Sequence, residues 1–113
     1  MPKGEFLGEF EIYVMLAVSG LGSEAYGIGI RRAIEERTHR DVAIGAVYAT
    51  LGRLEDKGLV THSVSAPQPV PGGRSRKYFR LTPAGERGLE HSTSMLSRMM
   101  AGFRAAPARG RPR

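Results

Sequence analysis

The sequence contains no cysteine, no tryptophan and no apolar run long enough to cross a membrane. Without cysteine, the chain has neither disulfides nor a thiolate site for zinc or redox chemistry. The N-terminal segment MPKGEFLGEF lacks the cationic and then apolar pattern of a signal peptide. A membrane-spanning helix requires roughly 18 or more consecutive apolar residues. These absences predict a cytoplasmic protein that does not insert into a membrane.

Acidic residues are scarce in the C-terminal part of the chain. Residues 74–113 carry two acids against ten Lys or Arg, a net charge of +8, whereas residues 1–73 have a net charge of −2. Segregated positive charge is typical of nucleic-acid binders, although it would also suit an acidic protein or an anionic membrane. A chain of 113 residues forms one domain that buries about two thirds of its unfolded surface. A partner subunit would therefore add to its stability.

The residues needed for catalysis are not grouped in the sequence. His39, His62 and His91 are more than twenty residues apart, and none stands in the HxxxH or HExxH spacing of a metal site. The serines at positions 92, 94 and 97 have no histidine or acid spaced to activate them. We predict that the protein is not an enzyme and requires no metal or cofactor.

Residues 41–60 contain the helix that organises the prediction. Its apolar side repeats at helical spacing and consists of Ile44, Val47, Leu51 and Leu54, with Tyr48 at the margin. The opposite side is made of small residues and one cation: Gly45, Ala46, Ala49 and Arg53, with Thr50 on its flank. Lys57 and Gly58 form a typical stop signal, a cation followed by a residue suited to a left-handed cap.

Two helices are predicted before this one, over residues 6–18 and from about residue 25 to residue 38. A short connection at residues 39–41 leads from the second to the third, which is a helix-turn-helix pattern. In that geometry the second helix of the pair enters the major groove of DNA. Small side chains allow close approach, and they leave Thr50 and Arg53 as the polar readers of bases.

A β-hairpin is predicted after the organising helix. Its strands cover residues 60–65 and 77–81, and the connector APQPVPGGRSR is too rich in proline and glycine for regular structure. Arg74, Arg76 and Lys77 lie at the end of this connector. A hairpin with a cationic tip in this position is a wing, whose cations can lie along phosphates or in a minor groove.

The last helix begins with Thr82 as N-cap and Pro83 at its first position. Its apolar stripe lies far from the helix-turn-helix and consists of Leu89, Leu96, Met99, Met100 and Phe103. We expect it to pair with a second chain, together with residues of the first helix, namely Phe6, Leu7, Phe10, Tyr13 and Val14. The predicted organisation is a winged helix-turn-helix over residues 1–81, a dimerisation helix over 82–103 and a disordered basic tail over 104–113.

The sequence resembles the PadR family of transcriptional regulators. The resemblance is carried by EFEIYVMLAV, AYGIGIRRAIEERT, IGAVYATLGRLEDKGLV and RKYFRLTPAGERGLE, which together cover roughly residues 8–89. It implies a mainly α protein with a two-stranded wing, a dimer that is usually a repressor, and a position for Tyr48 near the DNA backbone beside the wing cations. The sequence departs from the family at Ala43, where serine or proline is common, and at Gly52, where an acid is common.

We therefore expect a homodimeric repressor that binds double-stranded DNA at a palindromic operator. Its DNA-binding residues are expected to be Ile44, Gly45, Ala46, Tyr48, Ala49, Thr50, Arg53, Arg74, Arg76 and Lys77. A small hydrophobic or aromatic effector bound at the dimer interface is a further hypothesis. The alternative is a winged-helix protein-interaction module that does not bind specific DNA.

Overall fold

The computed structural model describes residues 6–66 and 75–103, and within them the chain forms four α-helices and a two-stranded sheet. The helices are α1 (Glu9–Leu21), α2 (Gly27–Thr38), α3 (Ile44–Asp56) and α4 (Pro83–Met100). The strands are β1 (Val60–Val64) and β2 (Lys77–Leu81), and a 3₁₀ turn at Gly22–Glu24 follows α1. The predicted mainly helical fold with a small β-hairpin is confirmed. Arg74 and the tail over residues 104–113 lie outside the described residues.

Helix α1 is displaced by three residues from the predicted segment at both ends. At its start the Glu11 carboxylate accepts a hydrogen bond of 2.8 Å from the backbone N–H of Gly8, which satisfies one of the free donors of a helix N-terminus. Phe6 therefore precedes the helix and is 76 % exposed. At the other end Gly20 is an internal helical residue, and the break comes at Gly22.

The core is built around α1, whose Val14, Met15 and Val18 are buried. This face packs against α2, α3, α4 and β2. The remaining core side chains come from every element: Leu7, Ala25, Ile30, Ile34, Val47, Leu51, Leu54, Leu59, Val60, Phe79 and Leu89. A helix that contacts all its neighbours fixes their positions relative to one another.

Three residues predicted for the dimer surface lie in this core instead. Leu7, Val14 and Leu89 are all less than a tenth exposed in the single chain. Helical periodicity identifies a buried face, but it does not distinguish burial within one chain from burial against a second chain. The prediction that these three residues form an open dimer surface is therefore wrong.

Helix α3 ends at the predicted stop signal. Gly58 has a φ of 76°, a left-handed conformation that glycine adopts without steric cost. The N–H of Gly58 donates to the carbonyl of Glu55 at 2.9 Å, and the N–H of Leu59 donates to the carbonyl of Leu54 at 2.9 Å. These two bonds form a Schellman motif and turn the chain from the helix directly into β1.

The hairpin and α4 are joined through Thr82. β1 pairs antiparallel with β2, with Val60 opposite Leu81. The Thr82 hydroxyl accepts from the N–H of Gly85 at 2.9 Å and donates to the carbonyl of Gly58 at 2.7 Å, so the predicted N-cap is confirmed. Gly85 packs so closely on the residue before β1 that a Cβ there would overlap the carbonyl of Leu59.

We expect Gly85→Ala to lower the free energy of unfolding by about 1–3 kcal/mol, because the added methyl meets fixed backbone. Gly52→Ala is the matched control, since a Cβ at this exposed mid-helix position meets no atom within 4 Å. It should raise the free energy of unfolding by about 0.5–1 kcal/mol through helix propensity. Urea unfolding of both variants measures the difference, and an unchanged midpoint for Gly85→Ala would contradict the packing argument.

Candidate nucleic-acid interface

Helices α2 and α3 form a helix-turn-helix with a connection of five residues, 39–43. His39 takes the left-handed conformation, with a φ of 58°, and its N–H caps α2 by donating to the carbonyl of Glu35 at 2.8 Å. The Glu35 carboxylate in turn accepts from the N–H of Val42 at 3.0 Å. Ala43 occupies the N-cap of α3 without a side-chain hydrogen bond.

The outer face of α3 consists of small residues, as the sequence predicts. Gly45, Ala46, Ala49 and Gly52 are exposed, and Ile44 is partly exposed beside them. Tyr48 stands at the edge of this face and is 47 % exposed. Its ring passes over the start of α2, where a Cβ on Gly27 would overlap the Tyr48 hydroxyl. Glycine at position 27 therefore allows the tyrosine of α3 to lie against α2.

The structure corrects the prediction for Thr50. Its side chain is buried with 1 % exposure, because position 50 lies three residues after Val47 and four before Leu54 and so shares their core-facing side. The Thr50 hydroxyl accepts a hydrogen bond of 3.1 Å from the guanidinium of Arg53. Thr50 is therefore a support for Arg53 in this structure and does not offer a free hydroxyl to a base.

Glu11 is a residue that the sequence analysis missed. Its carboxylate is only 11 % exposed, lies 3.1 Å from Lys57 Nζ and 4.0 Å from Arg53 Nε, and so connects α1 to the end of α3. Burial by itself would raise the pKa of Glu11, but the Gly8 N–H and the two cations outweigh it and lower the pKa below its usual value. The sequence pattern that could have identified Glu11 is its position one helical turn before Val14 and Met15, which places it on the buried side of α1.

Two cations of the wing, Arg76 and Lys77, lie where β2 begins, next to the loop that connects the strands. Arg76 and Lys77 are exposed, and the guanidinium carbon of Arg76 lies 4.6 Å from the ring centroid of Tyr26. The Tyr26 ring meets Tyr78 of β2 edge-on, with 5.9 Å between centroids. The wing is thus attached to the start of α2 as well as to the end of α3.

A second link between α3 and the wing is the hydrogen bond between His62 Nδ1 and the Glu55 carboxylate. His62 lies on β1, with its ring 5.8 Å from that of Phe79. Residues 6–66 and 75–103 contain no group of three or more His, Asp or Glu placed to hold a metal ion. His62 therefore has a packing role that its isolated position in the sequence did not indicate.

The predicted dimer residues in the second half of α4 remain uncovered in the single chain. Leu96, Met99 and Met100 are more than half exposed, and Phe103 beyond the helix end is 72 % exposed. Phe10 and Tyr13 of α1 are partly exposed. The Tyr13 hydroxyl donates to the Glu9 carboxylate at 2.8 Å, and this bond raises the pKa of Tyr13. These side chains are available to a second chain.

Two surface cavities border Tyr13. A groove of about 480 Å³ lies between α1 and α2, and its apolar lining includes Leu16, Ala17, Leu21 and Ala33. A smaller cavity of about 290 Å³ reaches the turn before α3 and is lined by Phe10, Tyr13, Val42 and Ala46 among others. Of the predicted effector-pocket residues, Phe10 and Tyr13 line these two cavities.

This arrangement defines a winged helix-turn-helix protein, with α3 as the recognition helix and β1–β2 as the wing. The sequence model of the transcriptional regulator PadR-like family matches residues 15–91, which are more than half of the chain. The chain therefore belongs to the PadR-like family of transcriptional regulators. Membership makes it a DNA-binding regulator of transcription and not an enzyme. No described helix is both long and apolar enough to cross a membrane.

Individual relatives agree with the family match. The transcriptional regulator Rv3488 of Mycobacterium tuberculosis is 32 % identical over 77 residues, which are 68 % of this chain and 67 % of that protein. A PadR-like transcription factor from Bacteroides fragilis superposes with a TM-score of 0.66 at 26 % identity, covering 81 % of this chain and 84 % of that one. A PadR family regulator from hypervirulent Clostridium difficile gives a TM-score of 0.62 at 30 % identity over 81 % and 96 % of the two chains.

Replacing Glu11 tests the link between α1 and α3. We expect Glu11→Gln to lower the free energy of unfolding at pH 7 by about 1.5–3 kcal/mol, the range for hydrogen bonds to charged groups. Because the folded pKa of Glu11 is lowered, its contribution is complete above the ordinary carboxyl value of 4.5 and is lost as pH falls through the folded value.

The deficit of Glu11→Gln relative to the wild type should therefore shrink below pH 4.5, as measured by urea unfolding across a pH series. The exposed Glu36 provides the matched control, and Glu36→Gln should follow the wild-type pH profile. A deficit of constant size down to low pH would show that the Glu11 charge does not contribute.

Proposed function

We propose that this chain is a repressor that binds a palindromic operator as a homodimer in the cytoplasm. The observation that carries the proposal is the exposed small-residue face of α3 next to the exposed cations of the wing. The proposed DNA contacts are made by Ile44, Gly45, Ala46, Tyr48, Ala49, Arg53, Arg74, Arg76 and Lys77. Arg74 is included on the sequence alone.

The recognition helix fits the physical requirements of a major groove. The groove is about 12 Å wide and a helix with its side chains is about 10–12 Å across, so glycine and alanine on the outer face permit deep entry. Ala46 and Ala49 can contact thymine methyl groups but cannot hydrogen-bond a base. With Thr50 buried, Arg53 is the remaining polar reader on this face. We therefore propose that DNA shape supplies part of the specificity.

Dimerisation would cover the apolar end of α4. The side chains of Leu96, Met99 and Met100 project from the half of α4 that follows the last buried residue of the helix, Leu89. Burying such a stripe is favourable at roughly 25 cal/mol per Å² of apolar surface. A second copy offers the same stripe together with Phe10 and Tyr13 of α1. Two recognition helices related by such a dimer axis would lie about 34 Å apart, one turn of DNA.

The groove between α1 and α2 supports the proposal of an effector. Its volume of about 480 Å³ lies within the usual range for small-molecule sites, about 300–1,000 Å³. Tyr13 connects it to the proposed dimer surface. A small hydrophobic or aromatic molecule bound there would contact both α1 and α2, and could relieve repression by altering how the two subunits pack.

The alternative function is a protein-interaction module, and the burial of Thr50 is the observation that favours it. A recognition helix with a single polar reader has little capacity for direct base readout. Replacing Arg74, Arg76 and Lys77 together by glutamine separates the two functions. Loss of operator binding is expected for the repressor, whereas a protein module would retain its partner while any DNA affinity is lost.

The repressor proposal predicts specific binding to DNA upstream of the protein's own gene. Purified protein should prefer this duplex over a scrambled duplex at near-physiological salt, with log affinity falling by about 0.9 per phosphate contact per decade of salt. A randomised-site selection should then return two half-sites one helical turn apart. Equal affinity for all duplexes would contradict the proposal.

The dimer proposal predicts that a charge on the α4 stripe separates the subunits. Met99→Glu should give a monomer by sedimentation analysis, because the carboxylate would be buried against apolar side chains. Ser94→Glu is the matched control, since Ser94 is exposed on the opposite side of the same helix. A Met99→Glu variant that sediments like the wild type would contradict this interface.

A further inference from the structure

Tyr26 joins the helix-turn-helix to the wing. Its side chain contacts Arg76, just before β2, and Tyr78 within β2. Tyr26 is the residue at the N-cap of α2. The guanidinium carbon of Arg76 lies 4.6 Å from the centroid of its ring, within the distance of a cation–π interaction. Tyr78 meets the same ring edge-on at an interplanar angle of 68°. Arg76, Tyr26 and Tyr78 thus form one row, with Arg76 over the Tyr26 ring and Tyr78 against it edge-on.

The backbone on both sides of this row is held by hydrogen bonds. Tyr26 forms an isolated antiparallel bridge with Tyr78, and the N–H of Phe79 donates to the carbonyl of Ala25 at 2.8 Å. At the other end, the N–H of Arg76 donates to the Ser65 hydroxyl at 2.9 Å, while its carbonyl accepts from the N–H of Ser65 at 2.8 Å. The tyrosine and the arginine therefore have fixed relative positions.

The charge of Arg76 is not neutralised within the described chain. No carboxylate of residues 6–66 or 75–103 forms an ion pair with it, and its side chain is exposed. A guanidinium that stacks on an aromatic ring uses one planar face, which leaves its N–H donors free in the plane to form paired hydrogen bonds with phosphate oxygens. Stacking thus orders the side chain and preserves its ability to bind an anion.

We infer that Tyr26 is a positioning residue that holds the Arg76 guanidinium ready to bind a DNA backbone phosphate beside the start of α2. The inference rests on the proposed DNA-binding function. A long side chain loses rotamer freedom when it binds, and a side chain that is already ordered loses less. Tyr26 increases affinity in this way without itself touching DNA. Arg76 acts on the phosphate backbone from the position just before β2, at the loop end of the wing.

A double-mutant cycle tests this role. The affinity of each variant is measured for two duplexes, the upstream DNA and a scrambled version of it, across a salt series. Arg76→Gln should weaken binding to both and reduce the salt slope by about 0.9, the value for one phosphate contact. Tyr26→Leu should weaken binding to both about two- to fivefold, the size of an exposed cation–π contact. Tyr26→Phe keeps the aromatic ring, so its affinity should stay within about twofold of that of the wild type.

The decisive comparison is Tyr26→Leu in the Arg76→Gln background, where we expect no further loss of affinity. A merely structural role of Tyr26 would give the same loss in both backgrounds, so additive effects would overturn the inference. Higher affinity of Tyr26→Leu would also overturn it, because Tyr26 would then be competing with DNA for Arg76. Lys77→Gln is the matched control, since Lys77 is the neighbouring cation on the other face of β2, and its effect should add to that of Tyr26→Leu.

The two duplexes separate failure of the inference from failure of the repressor proposal. If the wild type prefers the upstream duplex but the cycle shows no coupling between Tyr26 and Arg76, only the inference fails. If the wild type binds both duplexes equally and the coupling is present, the operator proposal fails and the inference stands. A wild-type protein that binds neither duplex would overturn both.

Discussion

Burial of one face of α1 is the constraint on which the rest of the structure depends. Val14 and Met15 are completely removed from solvent, and the face they form contacts α2, α3, α4 and β2. Protein interiors are packed as densely as organic crystals, so a helix with so many neighbours cannot shift without moving them. The recognition helix and the wing therefore keep a fixed geometry even though few residues join them directly.

The contacts that hold α3 in place come from residues far apart in the chain. Glu11 of α1 pairs with Lys57 at the end of α3, and Glu55 bonds His62 of the wing. Both lie at the C-terminal end of α3, while Tyr48 rests on Gly27 nearer the helix start. The proposed reading of DNA shape requires the groove-facing helix and the cations to keep a constant spacing, and these contacts hold α3 in place relative to α1 and the wing.

Sequence reasoning was accurate where the signal was local. The Lys57–Gly58 stop, the Thr82 cap with Pro83 and the hairpin strands depend on neighbours in sequence, and the structure has them within a residue of their predicted positions. It failed where a position lay at the edge of a helical face. Thr50 falls between the core stripe and the outer face of α3, and only the tertiary packing around α3 determines that it is buried. The same ambiguity placed Val14 and Leu89 on the dimer surface.

The sequence by itself determined the order of the elements, the small outer face of α3 and the segregation of positive charge, because periodicity, caps and composition are local properties. Tertiary structure alone decided which polar side chains meet. Glu11 reaches Lys57 across 46 positions, and Arg76 stacks on Tyr26 because strand pairing brings the second wing strand to the start of α2. Such contacts join residues distant in sequence, so no spacing pattern predicts them. These contacts determine where the cations of the interface lie.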